Sequence, residues 1–290
     1  MPGILACDID GTLTDSPFEM PSLVAKALRD VYDEGWKVIF ITGRPYVWGV
    51  KPLSTLDFSY YFAVINGANL LEMPQAVLME ELLIPKDTLG TFDDFCADKG
   101  TDYIAYSGYS GQDICYYRPK RFSPNQIKYL KERSAAVGEV WLPVDDFNQV
   151  PLKGFASIKC FGNHKECQVL AHYMEKELHL HAPTIRDPFN NSHFVAQATH
   201  KECTKGLILK RFAEKIGCNG PIIAAGDDYN DMSMLKVADV RIVMETAPQE
   251  ILSMADYIAP PASQAGLAAI LLSVIKKVSS NEISIRREHG

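Results

Sequence analysis

Three short apolar segments, each ending in small and acidic residues, constrain the fold of this chain most. The apolar segments are residues 4–9, 38–41 and 221–225. Short runs rich in Ile, Val and Ala predict buried β-strands. The polar residues at their ends are Asp8–Thr12, Thr42–Arg44 and Gly226–Asp231. The carboxyl ends of neighbouring parallel strands form a common ligand-binding edge, so the three polar groups are expected to converge.

Helical patterns alternate with these strands and predict the fold class. Residues 21–35 read as a helix, with Pro21 near its start and Gly35 after its end. Further helical patterns cover about 203–216 and 230–237. Alternation of this kind favours a parallel sheet with helices on both faces. We therefore predict an α/β fold with a Rossmann-like, doubly wound parallel sheet as its core.

The middle of the chain has a different pattern. Strand-like segments near 103–106, 114–117 and 156–161 are mixed with helical ones, which is typical of an α+β domain. A chain of 290 residues is also long enough for about two domains. The predicted organisation is a core domain over 1–83 plus 197–290, with an α+β domain inserted at 84–196.

Asp8 and Asp10 are the first pair of residues that indicate chemistry. Residues two apart on a strand point the same way, so both carboxylates are expected at one strand end. Like charges so close destabilise each other unless a cation or a shared proton intervenes. The pair therefore predicts a divalent metal, or one acid that holds a proton.

Asp227 and Asp231 extend this prediction. If a helix begins near residue 228, Asp231 lies on its first turn and faces back toward Asp227. Together with Asp8 they supply hard oxygen ligands, which suit Mg²⁺. The competing interpretation is helix capping by Asp228 and Asp231, and for Asp228 we favour the cap.

Thr42, Gly43, Arg44 and Lys205 are candidate contacts to a phosphate or substrate. A hydroxyl and a nearby backbone N–H at a strand-to-helix turn can bind phosphate oxygens, as Thr42 and Gly43 offer. Taken alone, this is also an ordinary turn. Arg44 can equally contact substrate or form a surface ion pair. Lys205 is a compact charge suited to a phosphate and to an aspartate, although an isolated lysine is usually a surface residue.

The amino-acid composition limits which binding partners and which cellular compartment we expect. The formal net charge is −7, which argues against a nucleic-acid or anionic-membrane partner. The seven cysteines are scattered, and this favours a reducing compartment, so we expect a cytoplasmic protein. The apolar segment 265–275 is too short to span a bilayer and is expected to form a buried helix ended by Lys276 and Lys277. We expect a monomer or homodimer that binds a small phosphorylated metabolite.

In this order, the motifs resemble those of the haloacid dehalogenase superfamily of aspartate-nucleophile phosphatases. The four matching motifs are Asp8–Thr12, Thr42, Lys205 and Asp227–Asp231. Further segments resemble the Cof-type, type IIB-capped branch: Thr42-Gly43-Arg44, Asn66-Gly67-Ala68, Thr204-Lys205-Gly206 and Ala255-Asp256-Tyr257-Ile258. The sequence departs from the branch at Asp228, where Gly or Ser is common. The resemblance is specific in the motifs and weak in the inserted domain.

The resemblance implies an Mg²⁺-dependent phosphatase that acts on a small phosphorylated metabolite, with a sugar phosphate expected. By resemblance, Asp8 is the nucleophile and forms an aspartyl-phosphate, and Asp10 is the acid and base. The implied metal ligands are Asp8, Asp10, Asp227 and Asp231. The implied phosphate-binding residues are Thr42, Gly43, Lys205 and Asn230. The implied substrate-binding residues are Arg44 and Asn66. The inserted domain would be a cap that selects the substrate.

Three alternatives stay open at this point. A phosphosugar mutase of the same fold would pass the phosphoryl group to another hydroxyl. A non-catalytic, receiver-like phosphoacceptor also uses a strand-end aspartate and Mg²⁺, but it needs neither Asp10 nor the large insertion. A protein phosphatase is disfavoured, because a large cap hinders macromolecular substrates.

Overall fold

The computed structural model describes residues 2–187 and 192–280. Residues 188–191 and 281–290, which belong to the predicted domains, lie outside the described residues. The strands are β1 (Ile4–Cys7), β2 (Lys37–Ile41), β3 (Tyr60–Val64), β4 (Asn69–Met73), β5 (Val77–Glu81), β6 (Ile84–Pro85), β7 (Ile104–Tyr106), β8 (Cys115–Tyr117), β9 (Trp141–Pro143), β10 (Gly154–Phe155), β11 (Ser157–Gly162), β12 (Thr184–Arg186), β13 (Phe194–Ala198), β14 (Ile222–Gly226), β15 (Val240–Met244) and β16 (Tyr257–Ala259). The helices are α1 (Ser22–Asp33), α2 (Tyr46–Gly49), α3 (Gly90–Asp98), α4 (Pro124–Val137), α5 (His164–Lys176), α6 (Lys205–Lys215), α7 (Met232–Val237), α8 (Gln249–Leu252) and α9 (Gly266–Ser279).

The chain divides into two compact units. The core unit comprises residues up to Gly43, Gly49–Met79 and the chain from Thr204 onward. The inserted unit comprises Arg44–Trp48 and Glu80–Cys203. The domain boundaries of the sequence analysis stay a prediction, and we propose that the inserted unit is the predicted inserted domain.

The core unit is built on a sheet with the strand order β16-β15-β14-β1-β2-β3-β4-β5. The strands from β16 to β3 are all parallel to their neighbours. One apolar cluster joins Ile4 and Ile39 of the sheet to Leu209 and Phe212 of α6 and to Leu235 of α7. The helices α1 and α9 pack against each other. The predicted α/β class with a large parallel sheet is confirmed.

The edge of this sheet differs from the prediction. No strand is predicted at residues 69–73 or 77–81, yet β4 pairs antiparallel with β3, and β5 lies beyond β4. Parallel neighbours require a long crossover, whereas the turn between Val64 and Asn69 is only a few residues long. The short connection therefore forces the chain to reverse direction and pair with the strand it has just left.

The inserted unit is an α+β structure in its own right. Its larger sheet has the order β12-β13-β11-β7-β8-β9, antiparallel except for the β8–β9 pair, and β6 pairs antiparallel with β10. Phe92 of α3 and Leu170 of α5 belong to the cluster that buries Ile158 of the sheet. Leu130 of α4 belongs to a second cluster, with Ile104 and Tyr106.

The last apolar segment forms α9 and continues past the lysines expected to end it. Lys276 and Lys277 lie in its last turn, and the helix ends at Ser279. Cations in the last turn are favourable, because the carbonyl groups at a helix C-terminus carry partial negative charge. Within the described ranges, no helix combines the length and apolarity that crossing a membrane requires.

Candidate active site

Asp8 follows directly after β1, between the strands that carry the other candidate residues. β1 lies between β14 and β2, and the backbone N–H of Asp8 donates to the carbonyl oxygen of Ala225, 3.0 Å away. The Asp8 side chain is buried. Three of the predicted polar groups thus follow adjacent strands, at the carboxyl edge of one parallel sheet.

The turn after Asp8 separates the two predicted aspartates. Asp10 is exposed, while Asp8 is buried. Gly11 has a φ of 76°, and a Cβ atom on it would lie 2.3 Å from Oδ2 of Asp227. Glycine is needed here both for the left-handed backbone and for the close approach of Asp227. The carboxylate of Asp8 is therefore buried, and that of Asp10 is exposed to solvent.

Lys205 joins two carboxylates from opposite ends of the sequence. It is the first residue of α6, whose N-cap is Thr204, and it is only 1% exposed. Its Nζ donates to Oδ1 of Asp8 and to Oδ1 of Asp231, the second at 2.6 Å. Burial lowers the pKa of this ammonium, but Asp231 and Asp8 outweigh burial and raise the pKa above its usual value. Lys205 is therefore a buried ammonium beside Asp8 that two carboxylates stabilise.

Both carboxylate oxygens of Asp231 accept hydrogen bonds from neighbouring residues. Its Oδ1 accepts the Lys205 bond, and its Oδ2 accepts from the backbone N–H groups of Asp227 and Asp228, at 2.9 and 3.1 Å. Asp228 in turn accepts from the backbone N–H of Tyr229, 2.7 Å away, which confirms the helix cap favoured for it. Asp231 thus fixes the loop after β14 and orients Lys205.

Asp227 is held by a residue that the sequence analysis did not single out. Oγ1 of Thr12 donates to Oδ1 of Asp227 over 3.0 Å. Burial and the charge of Asp231 raise the pKa of Asp227 to about 7, with Thr12 opposing the rise. Burial also raises the pKa of Asp8 well above its usual value, as do Asp231 and Asp227, against the opposing effect of Lys205. Among the described residues, the three carboxylates of Asp8, Asp227 and Asp231 therefore outnumber the one cation, Lys205, that contacts the cluster.

This donor set fits a hard divalent cation. Carboxylate oxygens of Asp8, Asp227 and Asp231 all lie within 4.8 Å of one another. Such oxygens are the ligands that Mg²⁺ prefers, and an added cation would counter the burial and the mutual repulsion that raise the pKa values of Asp8 and Asp227. Asp8 and Asp227 are the better placed of the three, because both oxygens of Asp231 already accept hydrogen bonds.

Thr42 and Asn66 lie at the ends of the next two strands. The buried Thr42 donates its backbone N–H to Ala63, 2.9 Å away, and its carbonyl oxygen accepts from the backbone N–H of Asn66 over 2.8 Å. Gly43 follows Thr42 in the core unit. Arg44 belongs instead to the inserted unit, where its guanidinium lies 4.2 Å from the ring centroid of Trp48. The structure therefore brings Thr42, Gly43 and Asn66 together within the core unit.

The remaining residues of the candidate site are Asn230 and the hydroxyl residues Ser233 and Thr12. Asn230 is partly buried in the turn after β14, between Tyr229 and Asp231. The Oγ of Ser233 accepts from the backbone N–H of Gly206, 3.0 Å away, and so ties α7 to the start of α6. Thr12 could have been anticipated from its place in the first motif, whereas no sequence signal pointed to Ser233.

Comparison with known proteins agrees with this architecture. Residues 5–271 match the family of haloacid dehalogenase-like hydrolases. The chain is 25% identical over 294 residues to phosphatase YwpJ of Bacillus subtilis, covering 92% of this chain and 98% of that protein. A haloacid dehalogenase-like hydrolase from Bacteroides thetaiotaomicron superposes with a TM-score of 0.76 at 21% identity, covering 94% of this chain and 100% of that one. A sugar phosphatase of haloacid dehalogenase subclass IIB gives a TM-score of 0.72 at 21% identity, covering 94% and 99%.

The fold and the family match together define a class of protein: a hydrolase with an α/β core and an inserted α+β unit. The chain belongs to the haloacid dehalogenase-like hydrolase family. The predicted superfamily is thus confirmed, and the fold shared with a subclass IIB protein agrees with the predicted branch.

Proposed function

We propose that this protein is an Mg²⁺-dependent phosphatase that hydrolyses a small phosphorylated metabolite, with a sugar phosphate as the expected substrate. The observation that carries the proposal is the buried Lys205 ammonium bonded to both Asp8 and Asp231, with Asp227 in the same carboxylate cluster. A fixed cation beside a strand-end carboxylate suits attack on a phosphoryl group, whose charge spreads over its oxygens. The names of a phosphatase relative and a sugar phosphatase neighbour support the same reaction.

Asp8 is the proposed nucleophile. One of its carboxylate oxygens attacks phosphorus, the bond from phosphorus to the ester oxygen breaks, and an aspartyl-phosphate forms. Lys205 holds Asp8 in place and faces the negative charge of the phosphoryl oxygens. Bound Mg²⁺ would supply further positive charge to the carboxylates of Asp8, Asp227 and Asp231 and to the phosphoryl oxygens. Asp10 is a further proposed ligand.

Asp10 is the proposed proton carrier. In the first step, its carboxylic acid gives a proton to the leaving alkoxide. In the second step, its carboxylate takes a proton from the water that attacks phosphorus, which releases inorganic phosphate and restores Asp8. The exposed position of Asp10 gives it access to water, whereas Asp8 is enclosed.

The remaining predicted residues have binding roles in this proposal. Thr42, Gly43, Lys205 and Asn230 bind phosphoryl oxygens. Arg44 and Asn66 are substrate contacts, and the inserted unit selects the substrate as a cap. We assign these roles from the motif positions and from the placement of Thr42, Lys205 and Asn230 after strands of the core sheet or at the start of α6.

The proposal is tested by a screen of phosphorylated metabolites. The purified protein is incubated with each compound and Mg²⁺, and released phosphate is measured. We expect turnover that EDTA abolishes and added Mg²⁺ restores. Turnover that is unaffected by EDTA would contradict the metal assignment, and no phosphate release from any compound, p-nitrophenyl phosphate included, would contradict the phosphatase.

The same samples separate the phosphatase from its alternatives. A mutase would convert a sugar phosphate into an isomer without releasing phosphate, which ³¹P NMR detects. A receiver-like phosphoacceptor would become phosphorylated without sustained turnover. Either result would replace the proposed reaction while leaving the family assignment unchanged.

A further inference from the structure

Asn66 has a buried amide oxygen without a hydrogen-bond donor among the described residues. The residue is 5% exposed, and its Oδ1 accepts no bond from the described part of the chain. An unsatisfied buried acceptor destabilises the free protein, and such groups are usually satisfied by a ligand or an ordered water. Asn66 therefore has an acceptor ready for a donor that the described chain does not supply.

The backbone around Asn66 is held in a strained conformation. Ile65, Asn66 and Gly67 have consecutive φ values of 53°, 54° and 95°. The left-handed region is tolerated by Asn and Gly but is costly for a β-branched residue such as Ile65. The Asn66 N–H bond to Thr42 helps to keep the turn in this state. Strain of this kind is retained mainly where it positions a functional group.

The orphan oxygen lies beside the predicted phosphate-binding turn. A Cβ atom built on Gly43 would lie 3.3 Å from Oδ1 of Asn66. Because Gly43 has no side chain, no Cβ atom occupies that position. Asn66 follows β3, which is two strands away from β1 and Asp8. Strands are about 4.8 Å apart, so this offset is roughly 10 Å and places Asn66 beyond a phosphoryl group bonded to Asp8.

The chemistry of the oxygen restricts what it can bind. An amide oxygen only accepts hydrogen bonds, and an ionised phosphate also only accepts them. A substrate group that bonds to this oxygen must therefore be a donor on the part of the substrate that leaves. We propose that Oδ1 of Asn66 accepts a hydrogen bond from a hydroxyl of the leaving group and makes the enzyme selective for sugar or polyol phosphates over alkyl phosphates. This inference rests on the proposed phosphatase function.

The test compares two variants that separate acceptor chemistry from backbone geometry. Asn66→Gly removes the amide but tolerates the left-handed backbone, and Asn66→Asp keeps an acceptor oxygen. Asn219→Gly, in an exposed loop of the core unit, is the matched control. For each protein, kcat/KM is measured for n-hexyl phosphate and for the best substrate in a panel of sugar and polyol phosphates. The preference of a protein is its kcat/KM for the hydroxylated substrate divided by its kcat/KM for n-hexyl phosphate, and this preference is compared between the proteins.

We expect the wild-type enzyme to prefer the hydroxylated substrate. In Asn66→Gly this preference should fall by about tenfold, the effect of one hydrogen bond in a buried site. Asn66→Asp should keep the preference within about threefold of wild type, because its added charge affects both substrates alike and its acceptor remains. The preference of Asn219→Gly should match that of wild type.

Two outcomes would overturn the inference while the phosphatase stands. One is a wild-type enzyme that hydrolyses p-nitrophenyl phosphate but shows no preference for hydroxylated substrates. The other is an Asn66→Gly variant whose preference is unchanged, including the case in which both kcat/KM values fall equally. If Asn66→Gly does not fold, the substrate preferences of the wild-type enzyme and of Asn66→Asp still test the inference. No turnover of any compound would instead defeat the proposed function, and the role of Asn66 with it.

Discussion

The two units each bury a lysine, and the two lysines behave in opposite ways. Lys205 of the core unit is 1% exposed and Lys159 of the inserted unit is 3% exposed. Lys205 donates to two carboxylates, and its pKa is raised. Lys159 lies 4.3 Å from the ring centroid of Tyr106 and has no hydrogen bond to a described residue. Burial and the charge of Arg133 lower the pKa of Lys159 to about 8.

The difference shows that burial alone does not decide the direction in which the pKa of a lysine shifts. Burial lowers the pKa of both ammonium groups, and what differs is the carboxylates in direct contact. At Lys205 these carboxylates follow adjacent strands of a parallel sheet, where ligands bind. Lys159 contacts an aromatic ring, which stabilises the charge only modestly. A buried lysine bonded to two carboxylates therefore indicates a candidate site better than burial alone does.

Replacing each lysine by methionine, in two separate variants, should reveal the largest difference between Lys205 and Lys159. Lys205→Met removes the only cation shown in contact with Asp8 in the described structure. We expect a loss of about 10³-fold in kcat for p-nitrophenyl phosphate, because the phosphoryl charge and Asp8 lose their fixed partner. Lys159→Met is the matched control and should keep kcat within about threefold. A similar loss in both variants would contradict the distinction.

Removing the hydroxyl of Thr12 should have a smaller effect, confined to the metal. Thr12→Val keeps the size of the buried side chain but removes the bond to Asp227. Groups that orient metal ligands typically contribute 10–100-fold to metal affinity. We therefore expect the Mg²⁺ concentration for half-maximal activity to rise about tenfold or more, with activity largely recovered at saturating Mg²⁺. An unchanged Mg²⁺ dependence would argue against Asp227 as a ligand.

The smallest expected effect is a gain in stability from Lys159→Met. A pKa lowered from 10.5 to about 8 in the folded state corresponds to a cost of about 3 kcal/mol at neutral pH. Loss of the contact with Tyr106 offsets up to about 2 kcal/mol of this gain. The net increase in the free energy of unfolding is therefore at least about 1 kcal/mol, measured by urea denaturation.

The pH dependence of this gain provides a separate check. Between pH 8 and 10.5 the unfolded chain binds more protons at Lys159 than the folded protein does. Wild-type stability should therefore rise with pH across this window relative to Lys159→Met, and the advantage of the variant should be lost above it. A constant difference between the two proteins at all pH values would show that the lysine is not destabilised by burial.

Local sequence patterns were sufficient to predict the strands that carry the site. β1, β2 and β14 are short and wholly or largely buried, so their composition reveals them, and acidic or hydroxyl residues at their ends mark the functional edge. The exposed Asp10 and the buried Asp8 show where this reasoning stops. A two-residue period predicts the side of a strand, but β1 ends at Cys7, and the turn through Gly11 leaves Asp10 exposed.

Contacts between distant segments could not be predicted from local pattern. Lys205 is 197 residues from Asp8, and Thr12 is 215 residues from Asp227. Neither spacing carries a periodic signal, and Lys205 attracted attention only through its motif. The buried Lys159 was not anticipated either, because a lysine within a strand is ordinarily exposed. The antiparallel pairing of β4 with β3 depended on the length of one turn.

The central claim is that Asp8 becomes covalently phosphorylated during turnover. The most direct measurement is peptide mass mapping of enzyme quenched with acid during steady-state hydrolysis of p-nitrophenyl phosphate in the presence of Mg²⁺. We predict a phosphoryl adduct on Asp8 in the wild-type protein and in Asp15→Asn, an exposed control. Asp8→Asn should show neither adduct nor turnover. An adduct on another residue, or sustained phosphate release by Asp8→Asn, would contradict the account.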